Sequence, residues 1–182
     1  ASDVYKRQEL KEETDLSDIY MEQLFTFGDV GRDPRMRVIS VAYMALVPKD
    51  KLHPVAGDDA AKVRWFTVKM VEDGSLVLLT DEMTLTEGDI AFDHEKVIKT
   101  ALQRLKNKVE YTDIAFELAG EEFTLTQLQS IYEAVLGRKL HKSNFRRSIA
   151  DRVEKTGEKE TKSSNRPSCL YRKKSGEWEH RF

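Results

Sequence analysis

One cysteine, Cys169, four prolines and two tryptophans in 182 residues set the first limits on this chain. A lone cysteine excludes an internal disulfide framework and any multi-cysteine zinc site. The longest apolar run, Val38 to Val47, is half of what a membrane crossing needs and already contains Ser40, so no membrane partner is expected. His53, His94, His141 and His180 form no pair at metal-ligand spacing, and no G-x-S-x-G element occurs. Neither sign of charge dominates, with 30 Lys+Arg against 32 Asp+Glu for a formal −2. What is left reads as a soluble, cytoplasmic chain of one ordinary domain, or of a small domain joined to an incomplete one.

The near-neutral total conceals a split. Residues 1–120 carry 16 Lys+Arg and 23 Asp+Glu, whereas residues 121–182 carry 14 and 9. Within the second part, Arg138 to Lys174 holds 13 basic and 4 acidic residues. Such an imbalance implies two modules with different partners, the second drawn to polyanions. Asp3-Val4-Tyr5-Lys6-Arg7-Gln8 resembles the conceptual translation of a transposase end sequence used in library preparation. The native reading frame is therefore expected to begin near Glu9, with upstream strands lost and a first half that folds poorly alone.

Coarse patterning predicts a short helix over 9–16 and strands over 21–27, 37–47 and 62–68. Glu72-Asp73-Gly74-Ser75 reads as a hairpin turn into Leu76–Thr80. Asp93 is placed to cap a helix running to about Lys108, and 109–117 reads as extended. The polar stretch 119–122 is the expected domain joint.

Beyond it the signals sharpen. Thr124 with Gln127 forms a capping box, and Phe123 with Leu128 supplies the hydrophobic staple. Leu125, Leu128, Ile131, Tyr132 and Val135 line one helix face, and Gly137 stands where a left-handed terminus is needed. After a short break, a second helix over about 142–153 turns Phe145, Ile149 and Val153 inward. Its outer surface presents Lys142, Ser143, Asn144, Arg146 and Arg147. Residues 153–156 and 169–172 then suit an antiparallel wing, joined by a polar loop that includes Arg166. A basic helix face is compatible with mere solvation. Helix, tight turn, basic helix and hairpin in that order match a winged helix-turn-helix that binds DNA. Arg146 and Arg147 have the fork that reads guanine edges, while Lys142 and Arg166 suit phosphates.

At the other end, Glu9, Glu12 and Glu13 fall at spacings of three and four. On a helix those carboxylates share a side, either as an acidic solvated surface or as ligands for a hard cation such as Mg2+. The run Gln8-Glu9-Leu10-Lys11-Glu12-Glu13-Thr14-Asp15-Leu16 resembles the second half of the Nudix box, R-E-U-x-E-E-x-G-U. All three glutamates match, as do Leu10 and Leu16; Gln8 replaces the arginine and Asp15 the glycine. The stretch Gly31 to Tyr43 and the pairs Trp65-Phe66 and Ala91-Phe92-Asp93-His94 are similar to ADP-ribose pyrophosphatase-like Nudix proteins. Residues 123–149 resemble the winged helix of Nudix-related transcriptional regulators, which include repressors of NAD biosynthesis and arabinose-utilisation regulators. That family often has Asp at the position of His141, so the second helix is expected to start weakly here.

The resemblance implies an α+β chain: a partial Nudix α/β/α sandwich with a mixed sheet over 9–118, then a winged helix-turn-helix over 119–175 and a tail over 176–182. It also implies a catalytic and metal-binding role for Glu9, Glu12 and Glu13, and contact of Arg32, Asp33 or Arg35 with a ligand diphosphate or ribose. The function it implies is a homodimeric regulator holding operator DNA and responding to a nucleotide-sugar, ADP-ribose or sugar-derived effector. The alternatives are a Mg2+-dependent Nudix hydrolase of ADP-ribose or a related nucleoside diphosphate derivative, and a non-catalytic module whose basic end meets RNA or protein.

Overall fold

The computed structural model describes residue 8 and residues 19–48, 64–160 and 167–175. The chain divides into two compact units, residues 1–104 and 105–182. The expected helix over 9–16 lies outside the described residues, as do residues 62–63 and Arg166.

In the first unit, β1 (Tyr20–Phe27) pairs antiparallel with β2 (Ser40–Leu46). Strict alternation fails in β1. A register irregularity between Gln23 and Phe25 leaves Leu24 as the extra residue, and the buried positions step through Met21, Leu24 and Phe27. A second sheet orders β3 (Thr67–Met70), β4 (Leu76–Leu79) and β5 (Thr84–Thr86), all antiparallel, with Leu76 and Leu78 buried. The expected hairpin turn closes at Gly74, whose φ of +83° suits glycine. The third strand starts at Thr67, so residues 64–66 of the segment read as strand are not in one.

Helix α1 (His94–Lys108) begins where expected. Asp93 stands before it, but its carboxylate goes to a bidentate bridge with Arg32 rather than to the helix N–H groups. Arg104 donates to the Leu24 carbonyl at 3.0 Å, which pins α1 to β1.

The second unit corrects one expectation. Residues 109–117 are a turn followed by α2 (Ile114–Ala119), not an extended segment. Ile114, Ala115 and Phe116 are consecutive and all buried, and a short apolar run carries no periodicity that separates a buried helix turn from a strand. Helix α3 (Leu125–Leu136) has both hydrogen bonds of its capping box: Gln127 N–H donates to Thr124 Oγ1 at 3.1 Å, and Thr124 N–H donates to Gln127 Oε1 at 2.7 Å. Phe123 and Leu128 are almost fully buried, each contributing about 1.5–3 kcal/mol by transfer from water. Gly137 ends α3 at φ +68°, ψ +20°.

The turn into α4 (Lys142–Ile149) is held by Glu133. Its carboxylate accepts from Leu140 N–H at 3.0 Å, Gln129 Nε2 at 2.9 Å and Lys139 Nζ at 2.8 Å. The His141 side chain makes no capping bond to the helix; Nδ1 meets Ser143 Oγ at 2.9 Å instead. The wing is β6 (Val153–Glu160) paired with β7 (Ser168–Lys173), with a register irregularity between Lys155 and Lys159 where Gly157 sits at φ +89°.

Beneath the wing lies a buried cation. Arg152, 5% exposed, donates from Nη2 to Asp113 Oδ1 at 2.7 Å and to the Thr112 carbonyl at 2.6 Å, and from Nη1 to Tyr132 Oη at 3.2 Å. Its guanidinium carbon lies 5.0 Å from the centroid of the Phe116 ring. Lys173 bridges the other Asp113 oxygen, and the Lys174 N–H donates to the Arg152 carbonyl at 2.9 Å. Burial raises the Asp113 pKa, yet the bonds from Lys173 and Arg152 outweigh it and hold the carboxyl below its usual range.

Three outcomes follow for stability. Arg152→Ala leaves Asp113 without its buried partner and should cost about 3 kcal/mol, read as a lower denaturant midpoint at unchanged slope. Arg152→Lys should not restore it, because a point charge lacks the fork. The Glu133 carboxyl is lowered to about 2, first by Lys139 and then by the Leu140 N–H. Its contribution is therefore full above its ordinary value near 4.5 and lost as pH falls towards 2. The gap in melting temperature between wild type and Glu133→Gln should close over that window; a pH-independent gap would refute it. His141→Asn, which supplies the absent cap, should add about 0.5–1 kcal/mol by the same denaturant titration.

Candidate nucleic-acid interface

An eight-residue helix has too little internal hydrogen bonding to stand alone, so α4 is placed by what it packs on. Phe145 and Ile149 supply that contact, at 5% and 2% exposure, with the Phe145 ring edge-on to Tyr132 at 5.2 Å. With those two facing inward, helical geometry turns the remaining positions out. Lys142, Ser143, Asn144, Arg146 and Arg147 are all exposed. Among the described residues neither Arg146 nor Lys142 forms an ion pair, and Arg147 has only a long contact, 3.5 Å, to Asn144 Oδ1.

The neighbouring cations are spent on the fold instead. Arg138 bridges Glu110 at 2.9 Å, Lys139 bridges Glu133, and Arg172 bridges Glu154 at 2.7 Å. On the wing, Lys155 and Lys159 are exposed and make no ion pair among the described residues. They extend the cationic surface beyond the residues singled out from the sequence. The longer pairing of β6 with β7 brings in Lys159, which lies beyond the strand expected over 153–156, while Lys155 lies within it. Helix α4 stops at Ile149, short of the expected residue 153, so Arg152 lies in the turn after it and Val153 opens the wing strand.

In the first unit the three residues of the expected ligand set part company. Arg32 is 7% exposed, doubly bonded to Asp93 at 2.8 Å and 2.8 Å, with Nη1 donating to Ser40 Oγ and the Phe27 carbonyl. Asp33 and Arg35 pair with each other: Arg35 donates from its backbone N–H and from Nε and Nη2, at 2.9, 3.0 and 2.7 Å. Those bonds, the side-chain ones first, lower the Asp33 carboxyl to about 2. Arg35 itself is 73% exposed. Glu9, Glu12 and Glu13 lie outside the described residues, and among the described residues no three His, Cys, Asp or Glu side chains gather as a metal-holding group. No helix among the described residues is long and apolar enough to cross a membrane.

Residues 115–172 match the NrtR DNA-binding winged helix domain. The chain is 34% identical over 167 residues to the ADPR responsive transcriptional repressor NtrR of Acinetobacter baylyi, covering 91% of this chain and 60% of that repressor. The MutT/nudix family protein of Enterococcus faecalis superposes with a TM-score of 0.75 at 29% identity, over 96% of this chain and 70% of that one. NrtR of Shewanella oneidensis, in a structure complexed with a 27mer DNA, gives 0.63 at 28% identity, over 92% and 70%. The fold is α+β, Nudix-like in its first part and winged-helix in its second. Residues 115–172 match an NrtR-type winged helix, and the chain as a whole is similar to Nudix-related proteins that carry one.

Proposed function

We propose that this chain is the body of a ligand-responsive transcriptional regulator. Residues 105–182 hold operator DNA and the preceding unit answers an effector, ADP-ribose or a related nucleotide-sugar. One observation carries the DNA half: α4 buries Phe145 and Ile149 while every polar residue of its outer face, Arg146 and Arg147 included, stands exposed. Supporting it, the Shewanella oneidensis relative has been solved with a 27mer DNA and the Acinetobacter baylyi relative is described as ADPR responsive.

In this reading α4 enters the major groove, where Arg146 and Arg147 read base edges. Lys142, Ser143 and Asn144 hold phosphates at the groove edge, joined by Lys155, Lys159 and Arg166 from the wing. Two copies on a palindromic site place two such helices about one helical turn apart, which is the reason for proposing a homodimer. The effector acts by binding one spacing of the pair better than another, since equal affinity would shift nothing. For Mg2+ on Glu9, Glu12 and Glu13, the support is their helical spacing and the resemblance to the Nudix box.

The test is a salt titration on a palindromic operator duplex, with and without ADP-ribose. Arg146→Ala with Arg147→Ala should reduce affinity about tenfold or more and relax the base preference, whereas Lys142→Ala should weaken all sequences alike and flatten the salt slope by about one unit, one per lost phosphate contact. Unchanged retention of operator DNA by the double variant would overturn the DNA half. Operator affinity indifferent to ADP-ribose would overturn the effector half.

A further inference from the structure

Phe92 is, among the described residues, the one residue other than glycine with positive φ, at +53°. Left-handed backbone presses a bulky side chain's Cβ towards the following carbonyl, a cost that glycine avoids and asparagine reduces. The ring does not recover that cost by burial, since it is 52% exposed. What holds the backbone is the next residue: Asp93 is clamped by Nε and Nη2 of Arg32, whose side chain is almost wholly covered. A strained position kept by its surroundings, and carrying an exposed aromatic, points to use of the ring itself.

The ring has a facing partner. The Arg35 guanidinium carbon lies 5.2 Å from its centroid. Asp33 tethers Arg35 from one side, and the rest of the side chain is open to water. His94 meets the ring edge at 6.0 Å. The guanidinium over an exposed ring places two π faces side by side, one of them on a long arm. A flat base inserted between them stacks on the phenylalanine and receives the guanidinium on its outer face.

We propose that Phe92 and Arg35 form a stacking clamp for the planar base of a nucleotide, with Phe92 distinguishing base-bearing ligands from bare sugar phosphates. This rests on the reading of the first unit as an effector domain, and it names the part of the effector that is recognised. Arg32 is left as the strut that aims the clamp.

The experiment titrates AMP and ribose 5-phosphate into the 182-residue chain by calorimetry. Wild type should bind AMP about tenfold more tightly, the scale of one base–aromatic stack. Phe92→Tyr should keep that preference. Phe92→Asn should abolish it while raising the melting temperature by a few degrees, because asparagine tolerates the left-handed backbone. A variant that melts higher yet has lost only the base preference separates stacking from a folding role. Equal affinity for the two probes in wild type, no binding of AMP, or an AMP preference that survives Phe92→Asn would each overturn the clamp. Operator binding with and without ADP-ribose, run on the same proteins, tells the two failures apart. An ADP-ribose response that persists while the AMP preference is absent sinks the clamp alone.

Discussion

Arg152 is the constraint on which the C-terminal unit turns. A guanidinium at 5% exposure has given up most of its hydration, and only a full set of partners offsets that loss. Asp113, the Thr112 carbonyl and Tyr132 satisfy its two terminal nitrogens, and the face of Phe116 covers the carbon between them. These partners come from the start of α2 and the middle of α3, while Arg152 follows α4 and its carbonyl receives the Lys174 N–H beyond β7. One ion pair thus gathers both ends of the helix-turn-helix and the base of the wing. The azimuth of α4, and with it the direction of Arg146 and Arg147, is set at a point that touches no ligand.

A similar device operates in the first unit. Arg32 and Asp93, 61 positions apart, join the loop between β1 and β2 to the start of α1. Resemblance alone places Arg32 with Asp33 and Arg35 as one ligand set. Their environments differ: Arg32 faces inward onto Asp93, Ser40 and the Phe27 carbonyl, while Asp33 and Arg35 make an exposed chelate beside Phe92. Adjacent residues in a loop follow no period, so nothing in their spacing told inward from outward.

What was legible follows from the range of the forces involved. The capping box at Thr124, the staple of Phe123 with Leu128, the terminus at Gly137 and the inward pair Phe145 and Ile149 are decided within four or five residues, and each stands as read. The α2 helix was misread because Ile114-Ala115-Phe116 is apolar without a period. Nothing local pairs Arg152 with Asp113 or Arg32 with Asp93, because the carboxylates are 39 and 61 residues away. The acidic half-box lies outside the described residues, so its geometry adds nothing to its spacing.

Charge counting needs the same correction. The 13 cations between Arg138 and Lys174 suggested a broad surface for a polyanion. Five of them, Arg138, Lys139, Arg152, Arg172 and Lys173, are paired with carboxylates of the same unit. Two, Lys162 and Arg166, lie outside the described residues. The remaining six are Lys142, Arg146, Arg147, Lys155, Lys159 and Lys174, exposed and without an ion pair among the described residues. In the proposed reading those six are what a phosphate backbone can use, because a cation paired with Asp113 or Glu133 must give up that pair before it can neutralise a phosphate. The paired cations do the opposite work: they fix where the unpaired ones stand. A basic segment of this kind leaves part of its charge open to a polyanion and holds its own shape with the rest.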